Sequence, residues 1–408
     1  MTRKIKLSQQ YLYFFGLLNC LCLLSCFINI KLGVLTSIII LFIFVTKFNL
    51  KFFIKDNTFI IYLIANIVSV ISFAWNGRPI SIFLSAISFN VLPALLYYVG
   101  RKMARENNVV SGMKKMLDAF IVMMSVGTIT YLLMPNFYYS YIGVSIESYS
   151  YGLGEYRYGS FISSLALGSV GIISVILYFY LFDVLKKWQK MIYLPIILLN
   201  VLMCMQRAAW LLSAVSLFVC MLLKFGSEKK ARMRIIGIAI ILIIILVILW
   251  VNRASLFTQT QLEYFESRIS SFTLQDMITS RNDQWIKAWE IFKENPIVGF
   301  GLGACGQKAA PYGLAVVTDG NHLRILSEIG VFGFLAFIYM NIKAIVRSIK
   351  SKNYYFALAV ITYNIAATGS PVFDQFYSSF AYWIVLGCAT TDLPTNKRNV
   401  ILKRKRMI

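Results

Sequence analysis

Long apolar runs separated by short polar segments recur along nearly the whole chain. A helix crosses a bilayer with about 20 mainly apolar residues, and most of these runs come close to that length. The pattern predicts an all-α, polytopic membrane bundle of about twelve transmembrane helices, of which the second is the shortest. The predicted spans are residues 11–30, 33–46, 57–75, 80–99, 116–134, 159–182, 191–206, 208–224, 235–251, 323–342, 354–370 and 372–390.

The polar segments divide the chain into four parts. Residues 1–251 contain spans one to nine, and residues 323–390 contain spans ten to twelve. Between them, residues 252–322 form one large extracytoplasmic loop, which is too long for a simple connector and is therefore expected to be functional. Residues 391–408 form a basic cytoplasmic tail.

Composition and charge agree with a membrane protein. Hydrophobic residues make up 59% of the 408 residues and charged residues 14%, which excludes an ordinary soluble domain. The net charge of +23 does not indicate nucleic acid, because most of the 40 Lys and Arg fall in alternate loops. That bias marks the cytoplasmic side and places both termini there. The basic tail is expected to touch anionic membrane lipid.

The large loop contains a predicted amphipathic helix. Ser280 is expected to cap its start, with Asp283 bonding back, and Asn295–Pro296 is expected to end it. An aromatic stripe along it, suited either to the headgroup layer or to capping the bundle, consists of Trp285, Trp289 and Phe292. The glycines that follow can bring backbone N–H groups close to a ligand; they are Gly299, Gly301, Gly303 and Gly306.

Ionisable residues gather where the loop meets the tenth span. Asp319, His322 and Arg324 lie there, and Glu328 follows one turn later. In a chain this apolar, such a concentration marks a candidate site. The structural alternatives are that His322 merely caps the helix and that Glu328 pairs with a nearby arginine to pin the span. The latter interpretation is favoured for Glu328. Asp118 is likewise expected to pair with the lysines just before it.

Two further arginines stand at the membrane edge. Arg157 lies between Tyr156 and Tyr158, which suits either an interfacial aromatic belt or the binding of sugar and phosphate. Arg207 lies at the junction of spans seven and eight. It can snorkel to the surface or meet an anion, and the second interpretation is favoured because outer turns this short normally carry no charge.

The candidate residues favour transfer of an already activated substrate. No nucleotide-binding motif is present, and one histidine cannot build a metal-ligand set, so neither a cofactor nor a metal is predicted. Arginine forks bind diphosphate bidentately and stabilise it as a leaving group, while Asp or His can act as a general base. A transporter or lipid-linked glycan flippase is the alternative of another class. It predicts paired inward charges in mid-membrane, broken helices and internal repeats, and of these neither repeats nor central charges are apparent in the sequence.

Three ordered patches resemble the bacterial O-antigen polymerase and O-antigen ligase family. Residues 157–161 and 206–210 match the first two patches, and the third joins Ser280–Arg281 and Trp285 to the motifs at 295–303 and 323–330. The likeness covers roughly residues 155–335. It departs from the ligases at Asp319, which stands where they usually have histidine. This departure favours the polymerase branch, where that position varies.

The resemblance implies a metal-independent glycosyltransferase at the outer face of the bacterial inner membrane. Its donor and acceptor would be undecaprenyl-diphosphate-linked glycans, and a chain-length regulator is a further expected partner. The resemblance implies that Arg207 and Arg281 bind the diphosphate, and we expect Arg157 and Arg324 to assist with phosphate or sugar. His322 is expected to be the base with Asp319 as its orienting partner, although the reverse assignment stays open. A ligase that transfers glycan to lipid A core is the alternative with the same chemistry.

Overall fold

The structure is a computed structural model that describes residues 56–75, 82, 90–134, 137–138, 158–226, 266, 274–306, 317, 320–374 and 376–391. Regular structure within these ranges is helical throughout, which confirms the predicted all-α class. The predicted spans at 11–30, 33–46 and 235–251 lie outside the described residues, and the number of spans stays a prediction.

The longer described helices are labelled in chain order. They are α1 (Asn57–Trp75), α2 (Leu92–Arg105), α3 (Val109–Leu133), α4 (Ser164–Leu181), α5 (Lys187–Met203), α6 (Arg207–Phe225), α7 (Leu274–Glu294), α8 (Asn321–Lys350), α9 (Tyr354–Thr368) and α10 (Phe376–Ala389). A single 3₁₀ turn, Val372–Asp374, precedes α10. Among these, α3, α4, α6 and α8 are long and apolar enough to cross a membrane, and α1, α9 and α10 contain shorter apolar helices.

Helix α4 lies at the centre of the bundle. It packs against α3, α5, α6, α9 and α10, and nearly all of its residues are buried. The Ser163 hydroxyl caps its start by accepting the Ala166 N–H at 3.1 Å. Gly168 lets α6 approach closely, since a Cβ there would lie 2.8 Å from the Ala209 Cβ. Small residues thus allow close packing of these two helices.

Helix α8 is broken at Gly330, whose φ of 69° and ψ of −178° are not helical. The break separates a first arm, residues 321–329, from a second arm, residues 331–350. The rings of His322 and Phe337 lie 6.2 Å apart. In a continuous helix their Cα atoms would be about 22 Å apart, more than the two side chains can bridge. The first arm therefore folds back beside the second.

The segment 296–301 fills the break with hydrogen bonds. The Phe300 N–H donates to the Ser327 carbonyl at 2.8 Å, and the Gly301 N–H donates to the Glu328 carbonyl at 3.2 Å. In return, the Val331 N–H donates to the Pro296 carbonyl at 2.9 Å. Backbone groups that the break removes from the helical ladder thereby keep partners, as buried polar groups require.

Glycines make this docking possible. Gly299 and Gly330 have φ of 78° and 69°, and a Cβ on either would collide with the backbone of the other segment. A Cβ on Gly330, for example, would lie 2.8 Å from the Gly299 nitrogen. The expected close backbone approach of this glycine segment is present, but its partner in the described structure is the broken helix.

Helix α7 begins earlier than predicted. It starts at Leu274, so Ser280 is inside the helix and cannot be its N-cap. Helical hydrogen bonding upstream of Ser280 overrides the local capping signal. The helix ends at Glu294, directly before Asn295–Pro296, as predicted. It packs on α8, where the Ser327 hydroxyl donates to the Ala288 carbonyl at 2.7 Å.

Basic residues gather at one end of the bundle around buried Asp56. Its carboxylate forms an ion pair with Arg101, accepts a hydrogen bond from the Tyr97 hydroxyl at 2.8 Å, and lies 3.8 Å from the Lys343 amine. Arg347 lies one helical turn after Lys343 on α8 and donates to the Thr390 carbonyl at 2.5 Å. The start of α1 and the ends of α2 and α8 therefore share this end.

Two further ion pairs extend the basic end. Lys114 pairs with Asp118 at 2.9 Å, as the sequence predicted, and the Tyr193 hydroxyl of α5 donates to the same carboxylate at 2.8 Å. Lys224, near the end of α6, pairs with Asp183 at 2.5 Å. Because Lys224 is in the last turn of α6 and lies at the basic end of the bundle, Arg207 at the start of α6 lies at the opposite end of the bundle.

Candidate functional site

Helices α6, α7 and α8 all contact the connection between α9 and α10, of which residues 369–374 are described. Gln206, the N-cap residue of α6, donates from Nε2 to the Ser370 hydroxyl at 2.8 Å. Gln206 is buried, and Met205 before it has a φ of 51°, so the chain turns sharply into α6. This turn places Arg207 in the first turn of α6, next to the connection.

Arg281 reaches the same connection from α7. A Cβ built on Gly369 would lie 3.4 Å from Nε and 3.5 Å from Cζ of Arg281, so the guanidinium rests against the bare glycine backbone. Arg281 therefore adjoins the same backbone connection that Gln206, the residue before Arg207, contacts from α6.

The first arm of α8 contacts the connection from the third side. The Asn321 side-chain oxygen accepts the Phe373 N–H at 2.7 Å, and both residues are buried. The ring of His322 lies 6.3 Å from that of Phe373. His322, Arg281 and the start of α6 are thus brought to the same six-residue turn.

His322 is held by one hydrogen bond to the backbone of α9. Its Nε2 lies 3.0 Å from the Asn364 carbonyl oxygen, whereas its buried Nδ1 has no hydrogen-bond partner in the described part of the chain. A carbonyl oxygen only accepts, so Nε2 carries a proton in this contact. In the neutral ring Nδ1 is then the atom with a free lone pair.

Arg324 faces a separate cavity rather than the connection. Its side chain is 2% exposed, and its Nη1 lies 3.9 Å from Glu328 Oε1. Its Nη2 donates to the Asn90 side-chain oxygen at 3.5 Å. The expected pairing of Glu328 with an arginine is confirmed.

A pocket lies beside Arg324 and is lined by Tyr62, Asn66, Asn90 and Glu328 among others. Phe337 and Phe373 line it and also flank the His322 ring, so these two aromatic residues separate His322 from the Arg324–Glu328 pair. The glycine segment closes another side, where the Cys305 N–H donates to Glu328 Oε1 at 3.2 Å. Arg324 therefore lies behind the site that contains His322.

Two predicted site residues, Arg157 and Asp319, lie outside the described residues. Helix α8 begins at Asn321 after Gly320, whose φ is 115°. The early helix start that would have given Asp319 and His322 a common helical face is therefore absent. Within the described residues no three His, Cys, Asp or Glu side chains form a group suited to a metal ion.

The sequence reading missed the residues behind His322. Asn364 donates from its side chain to the Asn341 side-chain oxygen at 2.8 Å, and the Tyr382 hydroxyl donates to the same oxygen at 2.5 Å. A signal for this pair was present. Asn341 and Asn364 stand at nearly equal distances from the turn at 351–353 that joins α8 to α9, so an antiparallel hairpin places them opposite each other.

These features define a helical membrane protein whose buried site combines arginines with an oriented imidazole. Residues 192–338 match the family model described as O-antigen ligase. Over this range the chain is similar to the O-antigen polymerase and ligase family. The matched range includes Arg207, Arg281, His322 and Arg324. No curated protein sequence matches the chain.

The match bears on the general activity and on the class of substrate. Members of the family are membrane enzymes of the glycosyltransferase type, and the family implies lipid-linked glycan substrates and an integral place in the membrane. Polymerase and ligase activities are equally compatible with the match.

Proposed function

We propose that the protein is a polymerase of lipid-linked polysaccharide repeat units, of the O-antigen or capsule type. The observation that carries the proposal is the gathering of Arg281, His322 and the start of α6 around the turn at 369–374. Cationic forks and a ring nitrogen with a free lone pair that approach the same connection suit the displacement of a diphosphate by a hydroxyl group. The departure from the ligase pattern at Asp319 favours polymerisation over ligation.

In the proposed reaction, a hydroxyl oxygen of the acceptor's terminal sugar attacks the anomeric carbon of the donor glycan. A glycosidic C–O bond forms, the bond from that carbon to the diphosphate oxygen breaks, and undecaprenyl diphosphate leaves with the electron pair. Arg207 and Arg281 hold the diphosphate and stabilise the charge that develops on it. Arg157 assists with phosphate or sugar, whereas Arg324 is enclosed with Glu328 in the separate cavity and lies apart from the diphosphate. His322 takes the hydroxyl proton, with Asp319 as the other candidate.

Expression in a heterologous bacterial strain that makes only undecaprenyl-linked single units tests the activity. A polymerase yields a ladder of long chains on gel electrophoresis. Transfer of one unit to lipid A core instead identifies a ligase. Ligase is the second candidate because the matched family model is described as O-antigen ligase. Accumulation of single units at the outer face, with neither product, indicates a flippase.

The arginine roles are tested by substitution of Arg207 or Arg281 with lysine or alanine. Alanine removes the guanidinium, and a loss of about 10²- to 10³-fold in chain formation is expected, as for other groups that stabilise developing negative charge. Lysine keeps the charge but not the fork, so it should rescue poorly. Chain length is measured at matched protein level.

Arg105→Ala is the matched control for the arginine variants, because Arg105 is an exposed arginine at the end of α2, on the basic end of the bundle. It should polymerise like the wild type. Wild-type chain length in Arg207→Ala or Arg281→Ala would assign that residue a structural role only.

A further inference from the structure

The orientation of His322 depends on groups from three helices. Its Nε2–H donates to the Asn364 carbonyl, and Asn364 in turn is fixed by its own side chain. That side chain donates to the Val360 carbonyl at 2.8 Å and to Asn341 Oδ1, also at 2.8 Å. Asn364 therefore bonds the first arm of α8 through its backbone and the second arm through its amide.

Asn341 connects this pair to α10. Its side-chain oxygen accepts from both Asn364 and the Tyr382 hydroxyl, while its amide nitrogen donates to the Phe337 carbonyl at 2.9 Å. Asn341 and Tyr382 are 4% and 0% exposed. A buried chain whose members are all hydrogen-bonded is rigid and fixes a single arrangement.

We propose that Asn364, Asn341 and Tyr382 are positioning residues that lock His322 in the tautomer with the proton on Nε2. Nδ1 then keeps its lone pair as the atom that accepts a proton from the acceptor hydroxyl. This inference rests on the proposed polymerase function for the identity of that hydroxyl. The proton moves to Nδ1 as the glycosidic bond forms, and the resulting imidazolium returns one proton to water.

The chain's single histidine allows a direct test of the tautomer. Full-length protein labelled with ¹⁵N-histidine, purified through a tag without histidine and placed in lipid bilayers, gives one imidazole signal set in solid-state NMR. With the ring neutral, Nδ1 should show the shift of an unprotonated ring nitrogen and Nε2 that of an N–H nitrogen. A proton on Nδ1 in the wild-type protein overturns the proposal.

The positioning chain is tested with Tyr382→Phe and Asn341→Leu. Both variants should give mixed tautomer signals and lower polymerisation by up to about 100-fold, the loss that small misplacements of a reacting group produce. Variants that keep the wild-type NMR pattern would show that the chain does not position His322, which also overturns the proposal.

Tyr363→Phe is the matched control. Tyr363 is equally buried and stacks on Tyr382 at 5.4 Å, but its hydroxyl donates to the Ser378 carbonyl at 2.8 Å and not to Asn341. This variant should keep both the tautomer and the activity.

The NMR readout needs no substrate, so a wrong tautomer in a protein that polymerises refutes only this inference. The expected tautomer in a protein without polymerase activity refutes only the proposed function.

Discussion

At the residue scale, Arg324 and Glu328 are the charges most deeply enclosed in the described bundle around α8. Their side chains are each 2% exposed and stand one helical turn apart. A buried charge is costly without its partner, whereas the pair together can be close to neutral for stability. The pair therefore secures the first arm only while both members are present.

Glu328→Leu should consequently destabilise the protein by about 3–5 kcal/mol, because it leaves the Arg324 guanidinium buried without its carboxylate. Thermal unfolding in detergent measures the change. The Arg324→Met, Glu328→Leu double variant should recover much of that loss in stability, and it would do so without recovering activity if Arg324 assists with substrate.

Lys114 and Asp118 provide a matched comparison, since they form a pair with the same spacing whose side chains are 28% and 27% exposed. Lys114→Met should cost no more than about 1 kcal/mol, as is usual for solvated ion pairs. Equal losses in Lys114→Met and Glu328→Leu would show that burial does not set the strength of the Arg324–Glu328 pair.

The base is the second question at this scale. His322→Ala should reduce chain formation by about 10²- to 10⁴-fold, the usual contribution of a general base. Asp319→Asn should leave a slower enzyme with the same product. An active His322→Ala protein together with an inactive Asp319→Asn protein would reverse the two roles.

At the scale of elements, the break in α8 depends on two glycines in the left-handed region. Gly330→Ala forces a Cβ against the backbone of Ile297 and strains a φ of 69°. The strain alone costs about 1–3 kcal/mol, and the collision adds to it. We expect reduced protein level and a lower Tm.

Gly306→Ala is the control for that variant. A Cβ there would meet its nearest neighbour, Arg324 Nη1, at 3.6 Å, which is an ordinary contact. This substitution should leave Tm close to the wild-type value. A Gly330→Ala protein as stable as Gly306→Ala would argue against the folded-back arrangement of the two arms.

The sequence predicted the positions of the helices better than the break within α8. Hydrophobic length located most described helices because burial in lipid needs a long apolar run, and Pro296 marked the end of α7 because a proline constrains the residue before it. Gly330 carried no such signal, since single glycines are common in membrane helices. Its break became visible only with the segment 296–301 that fills it.

The sequence pointed to the charged residues of the candidate site but not to its asparagines. Arg207, Arg281 and His322 stand out because ionisable groups are rare in apolar spans. Asn341 and Asn364 look like ordinary helix-packing residues, because their role arises from pairing across a hairpin. Gly369 and Ser370 could be assigned to the candidate site only from the structure, because three separate helices contact the connection that contains them.

At the scale of the whole molecule, the described basic segments share one end of the bundle, opposite the start of α6. The positive-inside bias predicts that this end faces the cytoplasm. Reporter fusions after Arg105, Lys230 and Lys350 should read cytoplasmic, and fusions at Gly154 or Thr260 should read external. An external signal at Lys230 would refute the topology from the eighth span onward.

The folded-back first arm also bears on how the chain enters the membrane. Residues 321–329 extend about 13 Å as a helix, far less than the roughly 30 Å hydrocarbon core, so this arm cannot be inserted as a span of its own. The second arm alone has the required length. We therefore expect the first arm to pack against α1 and the segment 296–301 after the second arm has inserted. On this expectation the site forms late in folding, when Ser69 and Phe300 can donate to the Glu328 and Ser327 carbonyls in the last turn of that arm.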